Sequence, residues 1–131
     1  MNANELRIGN LIYWDIPEKE NVPHEVIGIK QGKPLTTPIS LGDTMDEYKP
    51  IPLTEEWLLR FGFTRHLSSL LYLKPLNSLK NLVIYLDKDD HVVAFADYYT
   101  GREKTEVFPN RIKYVHQLQN LYFALTETDL V

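Results

Sequence analysis

The sequence predicts an α+β fold, and three features of the chain lead to this prediction. Short runs of β-branched and aromatic residues, broken by Gly and Pro, fill the N-terminal third of the chain. A segment near residue 55 carries helix signals at both of its ends, and apolar residues near the C-terminus recur at three- and four-residue steps. We therefore expect an N-terminal β-meander of short strands, a two-turn helix, a β-hairpin region and a C-terminal amphipathic helix packed on the sheet.

The length and composition fit one folded domain. The chain has 131 residues, of which 44% are hydrophobic and 11% aromatic, so it can bury a core and is unlike a disordered protein. We expect a single domain over residues 1–131, with a β-meander lobe at 1–47 and the helices and hairpin in 48–131. The lack of cysteine excludes a disulfide scaffold, a thiolate zinc site and a cysteine nucleophile.

The charge balance and the N-terminal segment predict an acidic, cytoplasmic protein. Lys and Arg total 14 against 18 Asp and Glu, and the resulting net charge of −4 argues against a general nucleic-acid binder. The first residues include no apolar core of the kind that a secretory signal requires. The apolar runs are also far shorter than the ~20 residues that span a bilayer, so we expect no membrane association.

The N-terminal third is predicted to form a small meander. Its strands are expected at residues 6–14, 25–29 and 39–41. The Gly9-Asn10 pair indicates a bulge or sharp bend in the first strand, and residues 31–34, with a Gly and a Pro, indicate a turn. Short, bent strands of this kind are compatible with a partial barrel of SH3-like type.

The best-marked local element is a two-turn helix that begins after Thr54. As N-cap, the Thr54 hydroxyl is expected to accept a hydrogen bond from a first-turn amide. Gly62 suits the left-handed position that follows a helix, and Phe63 can then fold back onto Leu58 in a Schellman motif. The apolar face of the helix, which includes Trp57, must be buried against another element.

The second half of the chain combines predicted strands with a terminal helix. Strands are expected at residues 70–73, 82–86, 92–99 and 105–108, with a polar turn at 87–90. The helix is expected at residues 111–126, with Gln117 and Asn120 on its polar side. Its wide apolar stripe predicts packing on a β layer shared with the first helix, and a partner surface is the alternative.

The chain carries no motif that assigns a catalytic, cofactor or metal residue. Residues 28–34 lack the spacing and the Ser or Thr of a phosphate-binding loop, and residues 87–91 lack the Gly and Glu that an EF-hand requires. The four histidines include no pair at the four-residue spacing of a helical zinc site. We therefore expect no catalytic residue, no cofactor and no metal.

The most basic window of the chain is a candidate interaction surface. Cations interleaved with aromatic residues can hold single-stranded nucleic acid by phosphate contact and stacking, although solvated surface charges explain the same pattern. The candidate surface comprises Arg102, Lys104, Arg111, Lys113, Tyr114 and His116.

Three stretches together resemble a known group of proteins. Residues 4–13 read NELRIGNLIY, residues 48–63 read YKPIPLTEEWLLRFGF, and residues 112–126 read IKYVHQLQNLYFALT. In this order they resemble a family of short, uncharacterised proteins from anaerobic gut bacteria, whose genes often lie near prophage or other mobile-element genes. The resemblance implies a mobile-element setting and implies no activity, ligand or catalytic residue.

Three functions remain open from the sequence. The first is a non-catalytic protein that acts through protein contacts, with a protein partner or as a homo-oligomer, as an accessory factor of a mobile element. The second is a single-stranded nucleic-acid binder that uses residues 102–113. The third is an enzyme whose site is assembled from residues distant in the sequence, such as His66, His91 or His116.

Overall fold

The computed structural model describes residues 5–14, 22–30, 32–37, 48–65, 71–76, 80–86, 92–97, 105–107 and 111–130. Over these residues the fold is α+β, as predicted, with two antiparallel sheets of four and five strands. The elements are β1 Leu11–Trp14, β2 Pro23–Lys30, β3 Lys33–Thr36, β4 Tyr48–Lys49, α1 Glu55–Arg60, β5 Thr64–Arg65, β6 Leu71–Pro75, β7 Lys80–Tyr85, β8 Val92–Asp97, β9 Thr105–Val107 and α2 Val115–Thr126.

The chain forms two compact units, each built from two separate segments. The first unit combines Met1–Pro52 with Tyr114–Asp129, and the second combines Leu53–Lys113 with Leu130–Val131. The C-terminal helix therefore belongs with the N-terminal strands. The single domain with lobes at 1–47 and 48–131 stays a prediction.

The sheet of the first unit has the strand order β3-β2-β1-β4. β2 and β3 form a hairpin around Gly32, whose φ of +74° is a conformation that glycine adopts without strain. A bulge interrupts the β2–β3 register between Val26 and Gly28. Ile12 and Val26 are fully buried and belong with Leu6 to the core of this unit.

Two predictions for this sheet are corrected. Lys33 and Pro34, expected in a turn, are the first residues of β3. The edge position of β3 makes this possible, because a proline without an N–H is tolerated in a strand that has a neighbour on one side only. The strand expected at residues 39–41 lies outside the described residues, and the SH3-like shape stays a prediction.

The predicted bend at Gly9-Asn10 is confirmed, but the first strand is shorter than expected. Gly9 has a φ of +97°, and Asn10 closes a turn by donating its N–H to the carbonyl of Arg7 at 3.0 Å. The Asn10 side chain accepts the Arg7 N–H at 2.7 Å in return. Because the backbone turns here, β1 begins at Leu11 and not at residue 6.

The C-terminal end of α1 has the predicted Schellman motif. The N–H of Phe63 donates to the carbonyl of Leu58 at 3.0 Å, and that of Gly62 donates to Leu59 at 3.1 Å. Gly62 has a φ of +84°, and both Leu58 and Phe63 are buried. Lys74 on β6 adds a further contact, because its Nζ donates to the Phe61 carbonyl at 2.8 Å.

The N-terminal end of α1 differs from the prediction in one respect. Thr54 is the N-cap residue and has an extended backbone, but its side chain makes no capping hydrogen bond. The helix start instead uses the Thr54 carbonyl, which accepts the N–H of Leu58 at 3.1 Å. Glu55 and Glu56 lie in the first turn, where the positive end of the helix dipole favours carboxylates.

The strands expected in the second half of the chain are confirmed, with small shifts at their ends. They form the order β5-β6-β7-β8-β9, in which each strand is antiparallel to the next. β7 lies in the middle, and its four central residues, Asn81 to Ile84, are all buried. The polar turn predicted at 87–90 lies outside the described residues.

The C-terminal helix is confirmed, but α2 begins four residues later than expected, at Val115. The preceding backbone is extended because it pairs with the segment around Pro52: Val115 donates to the Ile51 carbonyl, and Leu53 donates to the Lys113 carbonyl, both at 2.9 Å. The N–H of Tyr114 then donates to the side chain of Gln117 at 3.1 Å, which caps the helix start.

The expectation of one β layer shared by both helices is wrong. α2 contacts β1 in the first unit, whereas α1 contacts β5 in the second. Asn120, expected on the polar side of α2, is half-buried and hydrogen-bonded to the N-terminal segment. The spacing of apolar residues identifies a helix and its buried face, but it does not identify the sheet that covers this face.

We expect Gly62→Ala to destabilise the protein more than Gly32→Ala. Both glycines have a positive φ, so both substitutions cost about 1–2 kcal/mol of backbone strain. A Cβ at Gly62 would also lie 3.0 Å from the Lys74 Nζ that caps α1, whereas a Cβ at Gly32 meets no atom within 4 Å. Chemical denaturation of the two variants measures the difference, and an equal or smaller loss for Gly62→Ala would contradict the role of Lys74.

Candidate interaction surface

The structure does not place the basic window predicted from the sequence at one described site. Arg102 and Lys104 lie outside the described residues, whereas Arg111 and Lys113 are exposed. Tyr114 is half-buried, and the final member, His116, is completely buried and offers no surface. An interaction surface at residues 102–113 therefore stays a prediction.

His116 lies inside the first unit. Its ring stacks on that of Tyr114, with 5.9 Å between the ring centroids, and its Nε2 lies 3.5 Å from a carboxylate oxygen of Glu5. Burial lowers the pKa of His116 below its usual 6.5, and the nearby Glu5 carboxylate opposes this shift only in part. The imidazole is therefore neutral at neutral pH.

His24 is the second buried histidine of the first unit. Its ring stacks on the Trp14 indole with 4.6 Å between the centroids, and its Nδ1 donates to the Thr37 carbonyl. The Trp14 Nε1 donates to the Thr36 hydroxyl at 2.9 Å. Stacking and one hydrogen bond hold the His24 ring in a single orientation, and the described residues provide no hydrogen-bond partner for its buried Nε2.

A cluster of side-chain amides links α2 to the turn before β1. The Gln119 side chain accepts the Leu11 N–H at 2.9 Å and donates to the Gly9 carbonyl at 3.2 Å. Asn120 accepts from the Asn10 side chain at 2.8 Å and donates to a backbone carbonyl, that of Glu5, at 2.9 Å. Gln119 and Asn10 are buried, so these contacts satisfy polar groups that water does not reach.

The second unit has a buried phenol, that of Tyr72, close to two charged side chains. Arg65 and Glu55 approach each other with 3.7 Å between their nearest charged atoms, and both remain largely exposed. Burial raises the pKa of Tyr72 above its usual 10.0, and the Glu55 carboxylate adds to the shift. A phenol with a raised pKa keeps its proton at neutral pH.

The sheet of the first unit has an inner and an outer face. Ile12 and Trp14 on β1 are buried on the inner face, and the intervening Leu11 and Tyr13 therefore point to the outer face. In the antiparallel register Leu11 lies opposite Glu25, while Tyr13 lies opposite both Pro23 and Lys49. Residues that lie opposite each other share a face, so all of these side chains lie on the outer face.

The outer face of this sheet is unusually apolar. Ile27, at the β2 bulge, is 37% exposed, and Leu35 on β3 lies over the bare backbone of Gly28. We define the outer-face patch as Leu11, Tyr13, Pro23, Glu25, Ile27, Leu35 and Lys49. An antiparallel sheet that is covered on one face usually carries polar residues on the other, whereas five of these seven residues are apolar. Lys30 and Lys33, which lie opposite each other at the end of the β2–β3 hairpin, share this face and border the patch.

Charged groups of both signs lie within the outer-face patch. Glu25 is exposed, and within the described part of the chain its carboxylate has no ion pair. Lys49 lies on the far side of β1, two strand spacings away, or about 10 Å across the sheet. The patch is thus an apolar surface that includes Glu25 and Lys49 and is bordered by Lys30 and Lys33.

The sequence carries a signal for this patch in its apolar runs. Leu11 to Trp14 are four consecutive apolar residues, and Val26 to Ile29 include no polar side chain. A strand that exposes a polar face shows alternation, so a continuous apolar run in an antiparallel sheet indicates that both faces are apolar. The residues on each face, however, can be assigned only from the register.

Other features give no competing site among the described residues. In that part of the chain no group of three His, Asp or Glu residues could hold a metal ion. Neither described helix has the length and apolar character that a membrane crossing requires. Comparison with protein-family models, with curated proteins and with solved structures gives no match to this chain.

We expect the stability of the protein to fall with acidification in a way that depends on His116. The folded-state pKa of His116 lies below the unfolded value of about 6.5, so the unfolded chain binds more protons below that pH. The contribution of neutral, buried His116 to the free energy of unfolding is complete above about pH 6.5 and is lost as the pH falls. Denaturant midpoints at about pH 7.5 and pH 5.5 should differ more for the wild type than for His116→Gln. Equal pH dependence in the two proteins would contradict this assignment.

We expect Gln119→Met to cost about 1–3 kcal/mol, because methionine keeps the side-chain volume and removes both amide contacts with the turn before β1. Leu125→Met, at a 38%-exposed position of the same helix, is the matched control and should be nearly neutral. Both are measured by chemical denaturation. An unchanged midpoint for Gln119→Met would show that the amide contacts do not stabilise the fold.

Proposed function

We propose that this protein is a non-catalytic interaction module that binds another protein through the outer-face patch, as an accessory factor of a mobile element. The observation that carries the proposal is the apolar outer face of the four-stranded sheet, with Ile27 exposed beside half-buried Leu11 and Tyr13. Apolar surface that forms a contiguous patch, rather than isolated residues, is characteristic of protein–protein contacts.

The buried polar groups of the first unit support this proposal. Gln119 and Asn120 use both functional atoms of their amides on the N-terminal segment, and the Trp14 N–H is used within the sheet. The two buried histidines stack on aromatic rings. These polar residues hold the fold together, and the outer-face patch offers apolar surface to another molecule.

Site-specific photo-crosslinking tests this function. A photoreactive benzoyl-phenylalanine in place of Ile27 should give protein adducts in cells of the source organism, because this side chain is exposed at the centre of the proposed contact. The same group in place of Leu59, which is 50% exposed on α1 of the second unit, is the matched control and should give few adducts. Mass spectrometry of the adducts identifies the partner.

Two outcomes would contradict the proposed function. One is the absence of adducts from position 27 while the substituted protein remains folded, as judged by its melting curve. The other is an identical set of adducts from positions 27 and 59, which would indicate collisions rather than a defined surface.

A further inference from the structure

We infer that residues 5–8 form a segment whose release from α2 is coupled to the protonation of His116. The segment lies before β1 and outside the four-stranded sheet. Its release leaves this sheet intact, because the Gly9 N–H and the Asn10 carbonyl, which follow the segment, are bonded to Val26 on β2 at 2.8 Å each. The protein thus has a part that can open locally without the unfolding of the first unit.

One face of α2 holds the residues that precede β1. The members of this face follow the three- and four-residue steps of a helix and are His116, Gln119, Asn120 and Phe123. Asn120 donates to the Glu5 carbonyl at 2.9 Å. The Arg7 guanidinium lies over the Phe123 ring at 4.0 Å, and the His116 Nε2 lies 3.5 Å from a Glu5 carboxylate oxygen. His116 is the only titratable residue among these four, so a proton taken up by this face binds to it.

The bound segment leaves a charged His116 with little compensation. The side chain is completely buried, and neither ring nitrogen makes a hydrogen bond within the described residues. The ring belongs to the first turn of α2, where the positive end of the helix dipole opposes a positive charge. Tyr114 stacks on the ring, the Glu5 carboxylate favours protonation, and the charge of the amino terminus opposes it. Burial outweighs the carboxylate and lowers the pKa of His116.

Release of residues 5–8 removes this cost, because it opens the His116 face of α2 to water. The pKa of the imidazole then returns towards its ordinary value of about 6.5. The released form therefore binds more protons below that pH, and acid favours it. Between pH 7.5 and pH 5.5 the equilibrium constant for release rises by up to about tenfold, the limit in which the bound form takes up no proton.

The bound form dominates at neutral pH because the segment has an apolar anchor. Leu6 is 7% exposed and packs in the core of the first unit with Ile12 and Val26. Release exposes this side chain to water, so it is unfavourable as long as His116 is neutral.

Amide hydrogen exchange tests the coupling, since two pairs of N–H groups report on different openings. Arg7 donates its N–H to the Asn10 side chain, and Asn10 donates its own to the Arg7 carbonyl, so release breaks both bonds. Gly9 and Val26 donate across the junction with β2 and keep their bonds. The first pair should therefore be less protected than the second. After correction for intrinsic exchange, protection at Arg7 and Asn10 should fall between about threefold and tenfold from pH 7.5 to pH 5.5.

Three variants identify the group that takes up the proton. His116→Gln should show the same protection at Arg7 and Asn10 at both pH values. Glu5→Gln keeps the imidazole and removes the carboxylate that favours its charge, so the fall should persist or increase. His24→Gln, which replaces the other buried histidine of the first unit, is the matched control and should also retain the fall. Melting curves show that each variant is folded.

Four results would overturn the inference. Equal protection of the two pairs of amides would show that residues 5–8 leave only when the unit unfolds. Protection at Arg7 and Asn10 that does not change with pH would show that their opening does not expose His116. A fall that persists in folded His116→Gln would assign the proton to another group. A smaller fall in Glu5→Gln than in the wild type would contradict the effect assigned to the carboxylate, and this result does not require His116→Gln to fold.

Discussion

The first unit depends on the hydrogen bonds between the amides of α2 and the turn that precedes β1. Gln119 and Asn120 contact Gly9 and Asn10, residues 110 positions away in the sequence. At this turn the Gly9 N–H and the Asn10 carbonyl still bond Val26 of β2, whereas the Gly9 carbonyl and the Leu11 N–H find their partners on the Gln119 side chain. Two neighbouring amide side chains on one helix provide both donors and acceptors, and they thereby fix which part of the sheet α2 contacts.

This contact explains why the two ends of the chain share a unit. Arg7 lies on the same turn, its guanidinium packs over the Phe123 ring at 4.0 Å, and its Nη1 pairs with Asp129 at 3.1 Å. The ion pair is exposed and by itself contributes little to stability. Together with the buried amides, however, the contacts of Arg7 with Phe123 on α2 and with Asp129 after it hold the C-terminal segment to the N-terminal segment at several points.

The sequence predicted the elements more accurately than their partners. The Schellman end of α1 was predictable because Gly62 and Phe63 form a local pattern that requires no knowledge of the rest of the fold. The sequence pattern predicts Asn120 on the polar side of α2, which is wrong, because an amide that bonds a buried turn cannot be distinguished in sequence from one that faces water. Local signals specify local structure, whereas these contacts are set by residues more than 100 positions apart.

The sequence does not predict the candidate surface for a related reason. The positive charges of residues 102–113 are adjacent in the sequence, whereas the outer-face patch brings together residues from four strands. Only the register showed that Tyr13 lies between Pro23 and Lys49 on one face.

The edges of the four-stranded sheet further distinguish between two ways in which a partner could use it. A partner strand could add to an edge, but β3 carries Lys33 and Pro34, and β4 is only two residues long. Lysine, proline and shortness are the features that prevent edge-to-edge pairing of sheets. On the outer face, lysines lie at the hairpin end, where Lys30 is opposite Lys33, and the centre of the face is apolar. A sheet whose edges are blocked and whose face is apolar at its centre favours packing through the face, which is the contact that crosslinking from position 27 tests.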